Sequence, residues 1–127
     1  MENHDEVLEY FHLSKTYMKA ALELLNEKLF EPALFNAIHA LELGVKAALL
    51  TRIENNLILH QVGGLFGREF RDTLGNDVCK EINTILSKYN LPRYPGEDEI
   101  DQDDVKVIID FVEKFIEEIL PDLIDSD

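Results

Sequence analysis

The sequence has little of what stabilises small secreted proteins and little of what interrupts helices. Among its 127 residues are one cysteine, no tryptophan, four prolines and six glycines. A single cysteine excludes an intramolecular disulfide, and so few prolines and glycines are not typical of a disordered chain. Hydrophobic residues make up 46% of the chain, enough to bury a core. The length predicts one domain that spans residues 1–127.

Basic residues are also scarce. The chain has 12 lysines and arginines and 26 aspartates and glutamates, which gives a net charge of −14. The imbalance is concentrated from Glu97 onward, where 13 acids stand against Lys106 and Lys114. Such a chain repels nucleic acid at long range, so we expect no DNA partner. A nucleotide or RNA site would need a local basic patch, which only residues 1–96 can supply.

Signals for export and membrane insertion are missing as well. The first ten residues, MENHDEVLEY, are acidic, whereas a signal peptide begins with a basic segment. The uncharged apolar runs are much shorter than the roughly 20 residues that span a membrane. We therefore expect a cytoplasmic protein with no membrane partner.

Apolar residues recur at helical spacing along the chain, and no stretch alternates long enough to predict a strand. Five helices with short connections predict an all-α fold, an antiparallel up-and-down helical bundle. The predicted ranges are 5–26, 32–52, 59–74, 77–89 and a last helix that begins near 101–104.

The second predicted helix is apolar around most of its circumference, which is typical of a central bundle helix. Its polar groups fall on one strip, with His39, Glu42 and Lys46 at positions i, i+3 and i+7. This strip is either a polar pocket in the bundle groove or a solvated face with an ordinary salt bridge. A separate face of small residues allows another helix to approach closely: Ala33, Ala37, Ala40, Gly44, Ala47 and Ala48.

Three glycines lie in the segment LHQVGGLFGREF, residues 59–70. A phosphate-binding loop needs a strand before its glycines and usually a lysine after them, and this segment has neither. The apolar spacing predicts instead that Gly63, Gly64 and Gly67 lie in a helix and let a neighbouring helix approach, with the alanine face of the second helix as the candidate. His60 would then lie at the start of this helix, where it either packs or points into a cleft.

Apolar residues form two lines along the last predicted helix, and packing one face of this helix on the bundle cannot easily bury both lines. Either a partner chain covers part of this helix, or the domain itself wraps the helix on two sides. The second line consists of Val107, Phe111 and Phe115. The first line follows core spacing and consists of Val105, Ile108, Ile109, Val112, Ile116, Ile119 and Leu120.

Few other residues have the spacing of a reactive site. Arg93 beside Tyr94 suits recognition of an anion or a base, or else packing at the end of the bundle. Cys79 has no histidine beside it in sequence, and we interpret it as a buried cysteine. Metal-binding bundles use paired Glu-x-x-His sets, whereas this chain has only a single reversed one, His39-x-x-Glu42. No metal and no cofactor are therefore predicted.

Three segments together resemble the HEPN superfamily, the higher eukaryote and prokaryote nucleotide-binding domains. NAIHALELGVKAALL, residues 36–50, is similar to the second helix of that family. His60 opens the next helix, where the family often has a Thr-His or His-His pair. PRYP, residues 92–95, resembles the Arg-Tyr-Pro of the loop before the last helix. The resemblance covers about residues 5–122.

This resemblance implies a homodimeric bundle with a groove between the protomers, in a stand-alone branch of the family. It also implies association with a minimal nucleotidyltransferase, as in toxin–antitoxin pairs. The groove is expected to bind a nucleotide-like anion or that partner, and to be non-catalytic because the Arg–His signature of the family's ribonucleases is absent or degenerate in this sequence. Its expected lining is His39, Glu42, Lys46, His60, Arg93 and Tyr94.

Two alternatives remain open. Many members of the superfamily are metal-independent ribonucleases, whose signature is an arginine followed one or two helical turns later by a histidine. Here no histidine follows Arg93, and Arg52 and His60 are eight residues apart. A ribonuclease toxin would need a rearranged site that uses Arg52 or Arg93 with His60 or His39. The other alternative is a purely structural dimeric bundle, in which the polar strip is a salt-bridge network at the dimer interface.

Overall fold

The computed structural model describes residues 4–54, 62–88 and 100–125; most of these residues are helical and none of them lies in a strand. A π-helix (Phe115–Ile119) joins the last two α-helices into one continuous segment, so the predicted all-α bundle of five helices is confirmed. The α-helices are α1 (His4–Asn26), α2 (Phe30–Leu50), α3 (Val62–Leu74), α4 (Asn76–Lys88), α5 (Gln102–Lys114) and α6 (Leu120–Asp125).

Helix boundaries lie close to the predicted ones where the chain is described. α2 begins and ends two residues earlier than predicted, and Pro32 lies in its first turn, where a proline is tolerated. α5 begins inside the predicted range, because the carboxylate of Asp101 accepts a hydrogen bond of 2.7 Å from the backbone N–H of Asp103. An aspartate in this position satisfies one of the unpaired donors at a helix start.

α2 forms the centre of the bundle and packs against α1. The buried hydroxyl of Ser14 on α1 donates a hydrogen bond of 2.7 Å to the backbone carbonyl of Ala40. A Cβ added at Gly44 would lie 3.1 Å from Ser14 Oγ, so the small-residue face of α2 is packed closely there. By length and composition α2 could cross a membrane, but 72% of its apolar window is buried inside the bundle. This burial is typical of a core helix.

The glycines of α3 bring this helix close to α4. A Cβ added at Gly63 would lie 2.6 Å from Oδ1 of Asn83 and 3.0 Å from its Cα. The predicted close approach is therefore confirmed at Gly63, but the neighbouring helix there is α4, not the alanine face of α2. A Cβ added at Gly64 would meet no described atom within 4 Å.

The π-helix changes which apolar residues of the last helical segment face the core. The backbone N–H of Leu120 donates to the carbonyl of Phe115, five residues earlier, so one extra residue is accommodated in this turn. Phe115, assigned to the second apolar line, is fully buried, whereas Ile119, assigned to the core line, is only half-buried. The buried stripe continues through Leu120 and Ile124. The bundle itself thus covers part of the second line, and Val107 remains 69% exposed.

Candidate functional site

α2 places His39, Glu42 and Lys46 on one strip of its surface, because residues three and four apart share a helix face. His39 is exposed, and Glu42 and Lys46 are half-buried. Nδ1 of His39 lies 3.7 Å from Oε1 of Glu42, and the two side chains keep 46% and 26% of their surface accessible. This separation is longer than a hydrogen bond, so the two side chains lie beside each other on α2, and nearly half of the His39 side-chain surface is available to a ligand.

Tyr17 adds an aromatic ring to this strip from α1. Its ring meets the His39 imidazole edge-on, with centroids 4.5 Å apart and planes at 86°. The Ser14–Ala40 hydrogen bond joins the same two helices beside this contact, since Ser14 lies about one turn before Tyr17 and Ala40 follows His39. Sequence reasoning missed Tyr17 as a site residue, because its contact with His39 depends on register between two helices.

The strip lies within a partly apolar surface that we call the α1–α2 face, defined by Leu13, Tyr17, Phe35, His39 and Lys46. Leu13 lies one turn before Tyr17 on α1, and Phe35 lies one turn before His39 on α2. Leu13 and Phe35 keep 47% and 36% of their surface exposed. The face therefore combines apolar contact area with an imidazole, a phenol and an ammonium group.

Arg52, a candidate for the rearranged ribonuclease site, is held against α3. Its guanidinium carbon lies 4.1 Å from the centroid of the Phe70 ring, which is a cation–π contact. One of its N–H groups also donates a hydrogen bond to the backbone carbonyl of Glu69. These contacts tie the chain that leaves α2 to α3, so Arg52 has a structural role although its side chain is exposed.

His60, Arg93 and Tyr94 lie outside the described residues. Their convergence with His39, Glu42 and Lys46 around one groove therefore stays a prediction. Among the six predicted groove residues, the structure brings together the three on α2.

Cys79 is buried in α4, as interpreted from the sequence. Burial raises the pKa of its thiol, and the nearby positive charge of Arg71 opposes this shift without cancelling it. A thiol that stays protonated is a weak nucleophile. Within residues 4–54, 62–88 and 100–125, no three His, Cys, Asp or Glu side chains are grouped so that they could hold a metal ion.

Comparison with known proteins identifies one family. The HEPN domain model matches residues 8–122, which is nearly the whole chain. No curated protein and no solved structure gives a significant match.

Proposed function

Because the chain belongs to the HEPN domain family, we propose that it is a dimeric, non-catalytic module that binds a nucleotide-like anion on its α1–α2 face. The observation that carries this proposal is the contact of His39 with both Tyr17 and Glu42 on an exposed surface, with Lys46 one helical turn beyond Glu42 and two turns beyond His39. The tyrosine and histidine rings can contact a base, and the lysine ammonium can pair with a phosphate.

The charge distribution favours a small anion over a long polyanion. The chain carries a net charge of −14, and its repulsion acts on every part of an extended ligand. Salt screens that repulsion beyond about 8–10 Å at physiological ionic strength. A compact ligand seated beside Lys46 would therefore feel the local ammonium and the neighbouring carboxylate of Glu42 more than the distant carboxylates.

A ribonuclease function has less support than binding. Arg52 is engaged with the Phe70 ring and the Glu69 carbonyl, so holding a phosphate would compete with these structural contacts. No histidine follows Arg93 in the sequence. A rearranged site that uses Arg52 or Arg93 with His60 or His39 remains the alternative, and cleavage of RNA in EDTA tests it directly.

The second part of the proposal is a minimal nucleotidyltransferase partner in a toxin–antitoxin-like pair, and family membership is its support. A neighbouring gene that encodes such an enzyme, and co-purification of both proteins at a fixed ratio, would support this part. If neither a neighbouring gene nor a stable complex is found, this part of the proposal is wrong. Nucleotide binding by the isolated protein is a separate part of the proposal and is tested by titration.

Calorimetric titration with ATP, GTP, CTP and UTP tests the binding site. We expect at least one nucleotide to bind and to stabilise the fold, by about 2.7 kcal/mol at a concentration of 100 times its Kd. Replacing Lys46 by glutamine removes the ammonium but keeps most of the side-chain length. We expect Lys46→Gln to weaken binding about tenfold, which corresponds to about 1.4 kcal/mol.

The matched control is Lys80→Gln, which removes the charge of an exposed lysine on α4 and should leave the Kd unchanged. His39→Ala should also weaken binding, because it removes the ring between Tyr17 and Glu42. The binding proposal is wrong if no nucleotide binds. The ribonuclease alternative replaces the binding proposal if the protein cleaves RNA in EDTA and His60→Ala abolishes the cleavage.

A further inference from the structure

A second surface lies on another side of α1. At 100° per residue, Lys19 is about 160° around the helix from Tyr17, so the two residues face different surroundings. Two adjoining depressions run along this side, with volumes of about 770 and 380 Å³, and both include Leu22 in their lining. The larger one also reaches Gln102 and Lys106 at the start of α5. We call the combined surface the basic groove.

The floor of the basic groove is apolar. Met18 is buried, and Leu22, Leu25 and Phe30 are half-buried with part of their surface open to the groove. Phe30 and the imidazole of His12 are the two rings among the described lining residues, and each lines a different depression. Single-stranded nucleic acid is usually held by several aromatic rings that stack on successive bases, so this floor is better suited to aliphatic side chains.

The rim of the basic groove is cationic, in contrast to the rest of the chain. Glu117 is the one acid in its described lining, although acids outnumber lysines and arginines by 26 to 12 in the whole sequence. His12 adds a group that becomes cationic on protonation. Four exposed lysines line the two depressions: Lys15, Lys19, Lys28 and Lys106.

The groove is long enough for several turns of a docked helix. Its lining on α1 extends from His12 to Asn26, a length of about 21 Å at 1.5 Å per residue. Helix-binding grooves combine an apolar floor, which receives side chains at i, i+3, i+4 and i+7, with charged rims that select the partner. An occupant of this groove needs an apolar stripe flanked by carboxylates.

We propose that the basic groove docks an acidic amphipathic helix of a partner protein. The apolar stripe of that helix would lie on Leu22, Leu25 and Phe30, and its carboxylates would pair with lysines such as Lys19 and Lys106. This docking is independent of nucleotide binding, because the α1–α2 face uses a different side of α1.

Binding is tested with the full chain and a fluorescently labelled synthetic helix of about 16 residues, which places leucines at i, i+3, i+4 and i+7 and glutamates around them. A peptide of the same composition with the leucines scattered is the ligand control. We expect the striped peptide to bind about tenfold more tightly than the scattered one. In NMR spectra of the isotope-labelled protein, we expect the peptide to change mainly the amide chemical shifts of residues that line the basic groove.

The variant Lys19→Glu/Lys106→Glu reverses two rim charges at exposed positions, and we expect it to weaken binding of the striped peptide by about tenfold or more. The matched control, Arg68→Glu/Lys80→Glu, makes the same charge change on α3 and α4 and should bind as the wild type does. Circular dichroism verifies that both variants are folded.

Four outcomes would overturn the proposal. The first is that the striped peptide does not bind, and the second is that the two peptides bind equally, which would mean that only charge is recognised. A single-stranded RNA that binds more tightly than the peptide, and is lost in the Lys19→Glu/Lys106→Glu variant, would assign the groove to nucleic acid. A change of oligomeric state in that variant would assign it to a second copy of this chain.

Discussion

At the scale of single residues, Gly63 and Gly64 are neighbours with different roles. A Cβ at Gly63 would overlap with Asn83, both at the side-chain oxygen and at the backbone Cα. A Cβ at Gly64 would meet no described atom within 4 Å, and the residue is exposed. Gly63 is therefore needed for helix packing, whereas Gly64 only adds flexibility to the unfolded chain.

Alanine substitutions separate these two roles. We expect Gly63→Ala to lower the free energy of unfolding by about 1–3 kcal/mol, because α4 must shift away from the added methyl group. Gly64→Ala should raise it by about 0.5–1 kcal/mol through better helix propensity. Urea denaturation of the two variants beside the wild type measures both changes. Equal effects at the two positions would contradict the close packing of α3 on α4.

At the scale of secondary-structure elements, the π-helix is the feature that keeps the last helical segment on the core. It accommodates one extra residue between Phe115 and Leu120, and a π-turn of this kind corresponds to an α-helix with a single insertion. If the whole segment were an unbroken α-helix, the residues after the π-helix would be rotated about the helix axis by about 100° from their present positions. Leu120 and Ile124 would then turn away from their buried positions.

Single-residue deletions test this interpretation. Removing the exposed Glu118 should convert the π-turn into an α-turn and leave Leu120 and Ile124 facing the core. We expect the free energy of unfolding to change by about 1 kcal/mol or less. Deleting the exposed Asp110 shortens α5, which has no π-turn to absorb the change. The part of the helical segment after the deletion would therefore be rotated relative to the part before it.

The Asp110 deletion should therefore cost more than about 3 kcal/mol, since several buried side chains lose their packing. Thermal and urea unfolding of the two deletion variants give the comparison. If deletion of Glu118 costs as much as deletion of Asp110, the π-turn is not an accommodated extra residue.

At the scale of the whole molecule, the proposed dimer needs an apolar contact surface on a highly charged chain. The net charge of −14 makes two copies repel each other, so apolar burial has to outweigh this repulsion. The α1–α2 face offers the exposed Leu13 and Phe35 beside the polar strip. Val107 on α5 is more exposed, at 69%, and would be the contact if the last helix formed the interface.

Glutamate substitutions distinguish these two faces. We expect the wild-type protein to sediment as a dimer and Phe35→Glu to weaken dimerisation about tenfold or more, because a buried aromatic contributes about 1.5–3 kcal/mol. Val107→Glu introduces the same charge on α5 and should leave the dimer intact. Dissociation by Val107→Glu alone would place the interface on the last helix, and a monomeric wild type would contradict dimerisation altogether.

The sequence alone determined the all-α fold, the helix bounds to within two residues where the chain is described, and the strip of His39, Glu42 and Lys46. Helical periodicity is a local property of the backbone, so residues three and four apart share a face whatever the helix packs against. For the same reason the core position of α2 could be predicted from its apolar circumference.

Only the tertiary structure decided which faces meet. The contact of Tyr17 with His39 and the close approach of Gly63 to Asn83 depend on the register between helices. That register results from the fit of many side chains across each interface, and no local spacing specifies it. The basic groove likewise exists because packing brings Lys28, just after α1, into the same depression as Lys106, more than 75 residues away in sequence.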